Sequence, residues 1–492
     1  MSERVAIRVD ASEQLGVGHL SRCLALADGL ARAGASVLFV SRELAKSLQD
    51  LVRQHGHEVH SFEAVSPLSW LQDAAQTRRV LEAGKPWRWL IVDHYGFDER
   101  WEADLQDVAG AIMVIDDKAD RPHRCALLLD QNAFRDAERR YQALVNSDCM
   151  QLLGPRFALL RPQFRQQRSI SPLVRTQLRS VLIFFGGSDP SNLTGRALDA
   201  AVRAALPGLK ITVVVGALNP HRAAIEAQCV AVGADYHCQI DNMMELMAHA
   251  DLAVGAAGTA SWERCCVGLP AVLITIADNQ VRVAAELAAR RAAINLGADS
   301  AAALERLSAL LVRLSRRPQM LSQLSRRAAR LVDGIGVERV CFSLLGERSL
   351  RLRAASESDA QQAWEWRNSS AVRASSFDSA PIPFEKHLAW WRAALASADR
   401  VLLVGMLLRL PIGVIRLDLR ETLATISIYL DPALTGQGVG PALLRCATRW
   451  VQEHLPALNR IEALVKTDNR ASRKAFLAAG YREDYACYVQ TW

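Results

Sequence analysis

Gly16, Gly18 and His19 stand between an apolar run, Val5–Val9, and a helical pattern that begins at Leu20. In an open α/β sheet such a loop lies at the carboxyl end of the first strand, where ligands bind. Glycines there let backbone N–H groups approach a ligand closely. His19 falls at or near a helix N-terminus, whose positive end disfavours imidazolium and leaves a neutral imidazole able to act as a base. The same residues also fit a tight turn with a helix-capping histidine. The spacing departs from G-x-G-x-x-G, so a dinucleotide is not expected.

Two further strand ends carry acids, in Asp93-His94-Tyr95-Gly96 and Asp116-Asp117-Lys118. They either face the crevice of the first loop or cap their own loops. A second series of loops follows: Gly186-Gly187-Ser188-Asp189, then Gly255 to Gly258-Thr259 opening a helix that carries Glu263, then Asp278-Asn279-Gln280. A glycine-rich loop at a helix start offers bare N–H groups to phosphate. Glu263 suits a ribose diol, or equally a solvated helix face. A third glycine loop, Gln437-Gly438-Val439-Gly440-Pro441-Ala442, opens another helix, with Pro441 in the first turn where its missing N–H costs nothing.

The elements that position these residues alternate strand and helix. Val5–Val9, Val37–Val40, Trp89–Val92, Ile112–Ile115 and Leu127–Leu129 read as strands of a parallel sheet. The polar stretch 163–178 reads as a linker. Val181–Phe185, Ile211–Val215, Tyr236–Gln239, Leu252–Val254 and Ala271–Ile276 form a second series. After an Arg-rich helical stretch, strands at Leu350–Arg353, Val401–Val404, Gly413–Leu417, Thr425–Leu430 and Ile461–Val465 form a third. The 492 residues therefore divide into domains 1–170, 171–346 and 347–492.

Half the residues are apolar, enough for sizeable cores, and the net charge is +7. The arginines are spread along the chain and aromatics are few, which favours small anionic substrates over nucleic acid. Ten cysteines without C-x-x-C spacing are expected as free thiols in a cytoplasmic protein. No signal peptide is read, and no apolar run reaches the ~18 residues of a membrane span. No His, Cys and carboxylate spacing marks a metal site.

The stretch Ile240-Asp241-Asn242-Met243, Ala250-Asp251, Gly258-Thr259, Glu263, Gly268-Leu269-Pro270-Ala271 and Asn279-Gln280 resembles the nucleotide-binding half of the glycosyltransferase-B fold, in particular the UDP-N-acetylglucosamine transferases of peptidoglycan synthesis. Over about residues 4–340 the chain resembles a narrower family, the UDP-2,4-diacetamido-2,4,6-trideoxy-β-L-altropyranose hydrolases of pseudaminic acid biosynthesis. The motifs are Arg8-Val9-Asp10-Ala11-Ser12, Gly16-Val17-Gly18-His19, Asp93-His94-Tyr95-Gly96, Asp116-Asp117 with Pro122-His123, and Gly186-Gly187-Ser188-Asp189. The resemblance implies His19 as general base, with Asp10 and Tyr95 beside it, Tyr95 lining the sugar pocket. It implies UDP against Gly187, Ser188, Asp189, Gly258, Thr259 and Glu263, with Asn279 and Gln280 facing the sugar or phosphates.

The last 145 residues or so resemble the GNAT acetyltransferases. Gln437, Gly440 and Ala442 meet the acetyl-CoA motif, and Asn469, Ser472, Phe476, Gly480 and Tyr481 meet a second one. The resemblance implies acetyl-CoA at Gln437, Gly438, Gly440, Ala442, Asn469, Ser472 and Phe476, its pantetheine arm along Ile428 and Leu430. Phe476 replaces a tyrosine that many members use as general acid, so Tyr481, Tyr485 or Tyr488 takes that part, or none does. Trp366-Arg367-Asn368 and His387 resemble the sugar-nucleotide branch, and also suit ordinary packing and capping.

The expected architecture is α/β: two Rossmann-like domains in a glycosyltransferase-B arrangement, then a GNAT α+β domain. The expected function is bifunctional: acetyl-CoA-dependent N-acetylation of a UDP-linked 4-amino deoxy sugar, and hydrolysis that releases UDP from the diacetamido product. A UDP-sugar glycosyltransferase, or a non-catalytic nucleotide-sugar module fused to a protein N-acetyltransferase, are the other readings.

Overall fold

Seven short runs in the first third of the chain build one parallel sheet: β1 (Arg4–Val9), β2 (Ser36–Ser41), β3 (Glu58–Ser61), β4 (Trp89–Asp93), β5 (Ile112–Ile115), β6 (Leu127–Asp130) and β7 (Met150–Leu153). They lie in the order β3-β2-β1-β4-β5-β6-β7, with every pairing parallel. The computed structural model describes residues 3–11, 18–42, 44–62, 69–84, 86–170, 174–217, 219–240 and 242–484. A second parallel sheet follows: β8 (Ser180–Phe184), β9 (Lys210–Val215), β10 (Asp235–Cys238), β11 (Leu252–Gly255), β12 (Ala271–Thr275) and β13 (Ala293–Ala298). Its order is β10-β9-β8-β11-β12-β13.

Both sheets are doubly wound, and each reverses its strand order once. The reversal lies between β1 and β4 in the first sheet and between β8 and β11 in the second. A crevice opens at the carboxyl ends of the strands at such a switch point. The loops that precede His19, Tyr95 and Gly258 follow β1, β4 and β11, so the topology alone gathers them at the reversals.

Both sheets belong to one compact unit, Met1–Val340, and a second unit spans Cys341–Trp492. The break falls inside the helix Gly336–Leu345, whereas the sequence reading sets it at 346/347. The second unit holds β14 (Leu350–Ala354), β15 (Arg400–Leu407), β16 (Leu410–Arg420), β17 (Leu423–Leu430) and β18 (Arg460–Glu462) in sequential order. Its pairings are antiparallel except for β17 with β18. Among the described residues no helix is long and apolar enough to cross a membrane.

In the stretch read as a linker, the described residues 163–170 and 174–178 pack on the second sheet's layer. A helix spans Pro162–Ile170, and its Phe164 is fully buried among Leu182, Trp262 and other residues of the second sheet's layer. The polar residues of the stretch close carbonyl ends: Arg168 donates to the Cys266 carbonyl at 2.8 Å, and the buried Arg175 donates to the Ala248 carbonyl at 2.7 Å. Polarity here answers unsatisfied helix carbonyls rather than solvent.

One buried charge cluster anchors the first sheet. Arg8 lies in the central strand β1 and is fully buried. Its guanidinium forms a fork with Asp10 at 2.6 and 2.9 Å and reaches Asp73 at 2.5 Å. Asp10 also accepts from the Ser41 hydroxyl and the Arg42 backbone. Burial pushes the Asp10 carboxyl up, but hydrogen bonding from His94 and the charge of Arg8 outweigh it and hold the group far below the carboxylate range. Removing Arg8 would leave two buried carboxylates without a cation. Arg8→Met is therefore expected to cost about 3–5 kcal/mol at neutral pH. A depressed carboxyl stabilises the fold above its unfolded pKa of about 3.9 and loses that contribution as pH falls. The variant lacks this contribution, so its deficit should hold from pH 7 down to about pH 4 and shrink as pH falls below that. Urea unfolding at pH 7, 4 and 3 measures it.

Candidate functional site

The carboxyl ends of β1, β4 and β5 bring five side chains together: His19, Arg22, Asp93, Tyr95 and Asp117. His19 is in the first turn of the helix Gly18–Arg32. Its Nδ1 lies 2.5 Å from Oδ1 of Asp93, the last residue of β4, which is buried. Arg22, one turn further along the same helix, clamps Asp93 with Nε to Oδ2 and Nη2 to Oδ1, both at 2.6 Å. Burial would raise the Asp93 carboxyl, but Arg22 and His19 outweigh it and keep it ionised far below the usual range. An ionised carboxylate only accepts hydrogen bonds, so the Nδ1 N–H of His19 donates to Asp93 and Nε2 is the ring nitrogen on the far side from that contact. This is the orientation a general base needs.

Tyr95 meets the His19 ring edge-on, with centroids 4.8 Å apart. Its hydroxyl donates to Oδ1 of Asp117 at 2.9 Å, and Arg22 reaches Oδ2 of Asp117 at 3.4 Å. Burial and the Asp117 charge raise the phenol far above its ordinary value, so Tyr95 stays protonated.

His19, Arg22, Tyr95 and Asp117 line one wall of a cavity of about 270 Å³. The opposite wall comes from the second sheet: Ala257, Gly258, Thr259, Trp262, Asn279, Gln280 and Val283. Between the walls, a Cβ added to Gly18 would sit 3.4 Å from the Thr259 hydroxyl oxygen.

The cavity gathers Gly18, His19, Tyr95, Gly258, Thr259, Asn279 and Gln280 from the sequence reading. Gly16 lies outside the described residues. Asp10 is bound in the Arg8 cluster and does not line the cavity. Asp189 accepts from the backbone N–H groups of Leu193 and Thr194 at 2.9 and 2.8 Å, closing the start of the helix Leu193–Arg203. Gly187 and Ser188 precede it outside the cavity lining; Gly187 packs so close to Gly216 that a Cβ there would fall 2.3 Å from its carbonyl oxygen. Glu263 is half-buried outside the lining, and burial raises its carboxyl against the pull of Arg161 and Arg264. Sequence reasoning missed Asp93 as the partner of His19, and missed Arg22; the signals were the strand-end acid before Tyr95 and a basic residue at i+3 from His19.

In the second unit, β17 and β18 pair only over Leu423–Thr425 and Arg460–Glu462. Among the described residues the rest of β17, including Ile428 and Leu430, is paired on the β16 side alone, leaving an edge on which an extended ligand can add. Gly438, with φ +79°, caps the helix Val439–His454. A Cβ on Gly440 would meet only the Leu430 side chain, at 3.6 Å. The Gln437 side chain donates to the Ala433 carbonyl at 2.9 Å, and Ala442 is buried. Asn469 accepts from the Ser472 N–H at 3.0 Å and caps the helix Arg470–Ala478.

Phe476 packs edge-on against Tyr481 at 5.1 Å, whose hydroxyl is shared with Thr448 at 3.1 Å. Tyr485 and Tyr488 lie outside the described residues. His387 is buried beside Trp390 and Trp391, and burial lowers its pKa. Trp366 is buried as well, Arg367 donates to the Asp378 carbonyl, and Asn368 braces the Ile382 backbone at 2.8 and 2.9 Å.

Residues 181–335 match the glycosyltransferase family 28 C-terminal domain, and residues 349–482 match the acetyltransferase (GNAT) domain. The chain thus joins a domain similar to the family 28 C-terminal domain, within a pair of doubly wound parallel sheets, to a domain similar to the GNAT acetyltransferases. It is similar to the spore coat polysaccharide biosynthesis protein SpsG of Bacillus subtilis, with 25% identity over 68% of this chain and 96% of that protein. It is also similar to the UDP-2,4-diacetamido-2,4,6-trideoxy-beta-L-altropyranose hydrolase of Campylobacter jejuni, with 27% identity over 44% of this chain and 71% of that one. A solved structure of MurG from Acinetobacter baumannii aligns over 70% of this chain and 99% of its own, at 16% identity and a TM-score of 0.49.

A side chain at Gly258 would meet no atom within 4 Å and would occupy cavity space without straining the backbone. Gly258→Val is expected to melt within about a degree of the parent, since surface changes without strain are nearly neutral. It should weaken binding of UDP ~10-fold or more by excluding the diphosphate from the loop amides. Calorimetry with UDP measures the second effect and a thermal melt the first.

Proposed function

We propose that the first unit hydrolyses UDP from a 2,4-diacetamido-2,4,6-trideoxy hexose and that the second acetylates its UDP-linked 4-amino precursor with acetyl-CoA. The observation that carries the reading is the His19–Asp93 pair on the wall of a cavity whose other wall is the Ala257–Thr259 loop. UDP leaves readily once its phosphates are held by backbone N–H groups. Nε2 of His19 takes a proton from water; the water oxygen bonds to the anomeric carbon as the bond from that carbon to the phosphate oxygen breaks. Tyr95, held as a phenol by Asp117, borders the sugar. The name of the Campylobacter relative supports the hydrolase; on this reading both reactions belong to the pseudaminic acid route to glycosylated flagellin.

In the second unit the loop Gly436–Gly440 receives the CoA pyrophosphate, and the open edge of β17 at Ile428 and Leu430 takes the pantetheine arm. The amine attacks the acetyl carbonyl, the C–S bond breaks to release CoA as thiolate, and the proton lost by the nitrogen is balanced by the one the thiolate takes up to give CoA-SH. Every described cysteine is a free thiol, which supports a reducing, cytoplasmic setting. The family-28 match favours a second reading, sugar transfer to an acceptor other than water.

Assays of both reactions on the 492-residue chain and two variants test the proposal. His19→Ala should cut UDP release ~10²-fold or more while UDP still binds. Gly440→Glu, which puts a carboxylate into the pyrophosphate cradle, should abolish acetylation and leave UDP release unchanged. Near-normal UDP release in His19→Ala would remove the base; UDP release only with an added acceptor would favour the transferase.

A further inference from the structure

Most polar groups lining the crevice are engaged by the protein itself. Asp117 takes the Tyr95 hydroxyl and an Arg22 N–H. The side-chain oxygen of Gln131 accepts from Leu159 N–H at 3.1 Å, and that of Gln280 accepts from Ile276 N–H at 3.2 Å. Asn132 differs. It follows β6 by two residues, lines the cavity and is only 7% exposed. Its backbone N–H donates to the Asp130 carboxylate at 2.9 Å, yet its carboxamide has no hydrogen-bond partner among the described residues.

A buried carboxamide without a protein partner is satisfied by what fills the cavity. It presents N–H donors and a C=O acceptor in one plane, the complement of another amide. The nearby walls are apolar. Trp262 and Val283 line the same cavity, and both share one packed cluster with Ala133 and Phe134, the residues that follow Asn132. An amide edge beside apolar walls matches an acetamido group: N–H and C=O toward Asn132, methyl toward Trp262 and Val283. A hydroxyl would use one edge of the carboxamide and set a polar group against the apolar wall.

We propose that Asn132 is a specificity residue that recognises an acetamido substituent on the sugar of the bound nucleotide sugar. The inference rests on the reading above that UDP-sugars occupy this crevice, and adds which substituent is read and by which residue. A site built to hydrogen-bond a group discriminates against the analogue that lacks it.

The test is calorimetry with UDP, UDP-N-acetylglucosamine and UDP-glucose on the unmodified chain, Asn132→Ala and the isosteric Asn132→Asp. The unmodified chain should prefer the acetamido sugar over its hydroxyl counterpart ~10-fold or more. Both variants should lose that preference while UDP affinity stays within about twofold. A chain that binds UDP but binds the two sugars equally, or an Asn132→Ala variant that keeps the preference, would overturn the assignment and leave the crevice reading standing. No binding of UDP by the unmodified chain would overturn both.

Discussion

The buried carboxylate of Asp93 is the interaction on which the first unit's site depends. It ends β4, beside β1 at the point where the sheet reverses its order. Three residues of one helix meet it: His19, Arg22 and Cys23. The carboxylate thus fixes the helix N-terminus against the strand end and sets the His19 ring. Through Arg22 and Asp117 the same network extends to Tyr95. Each buried charge loses hydration, and the pairing compensates only while both partners are present. Neutralising Asp93 would strand Arg22, so the group that orients the imidazole also holds the local fold together.

The crevice sits where parallel-sheet topology puts it, and that part was legible in the chain. Short apolar runs ending in Gly, Asp or His mark strands whose carboxyl ends carry function. The runs read as β1, β2, β4, β5 and β6 all appear. β3 and β7 escaped notice because Glu58–Ser61 and Met150–Leu153 lie at the sheet edges and are only partly buried, so their composition does not report a core. The helix Pro162–Ile170 was hidden by its arginines, whose partners are carbonyls far along the chain. The site divides likewise. His19, Tyr95, Gly258 and Thr259 are local in sequence to their loops and could be named. The His19–Asp93 contact joins residues 74 apart, and nothing in either segment alone fixes that pairing. Asp189 and Asp10 show the converse: strand-end acids whose surroundings commit them to capping and to a buried cation.

The two units suit consecutive chemistry. An acetyltransferase that consumes a nucleotide-linked amino sugar produces an amide on the sugar. The crevice of the other unit presents an unpartnered carboxamide, an oriented imidazole and a glycine loop on facing walls. Under the proposed function, amide recognition there would keep UDP release from preceding acetylation, since the free amine lacks the C=O and methyl that the wall accommodates. Order of reaction would then follow from the pocket itself.

The central claim is that His19 delivers water to the anomeric carbon of a UDP-sugar. The direct measurement is to run the reaction in water enriched in oxygen-18, without acetyl-CoA or sugar acceptor, and to weigh both products. The account requires the label in the released sugar and none in UDP, with the reaction lost in His19→Ala. Label in the UDP phosphate would mean attack at phosphorus, and would contradict the assignment of His19 as the base that acts at carbon.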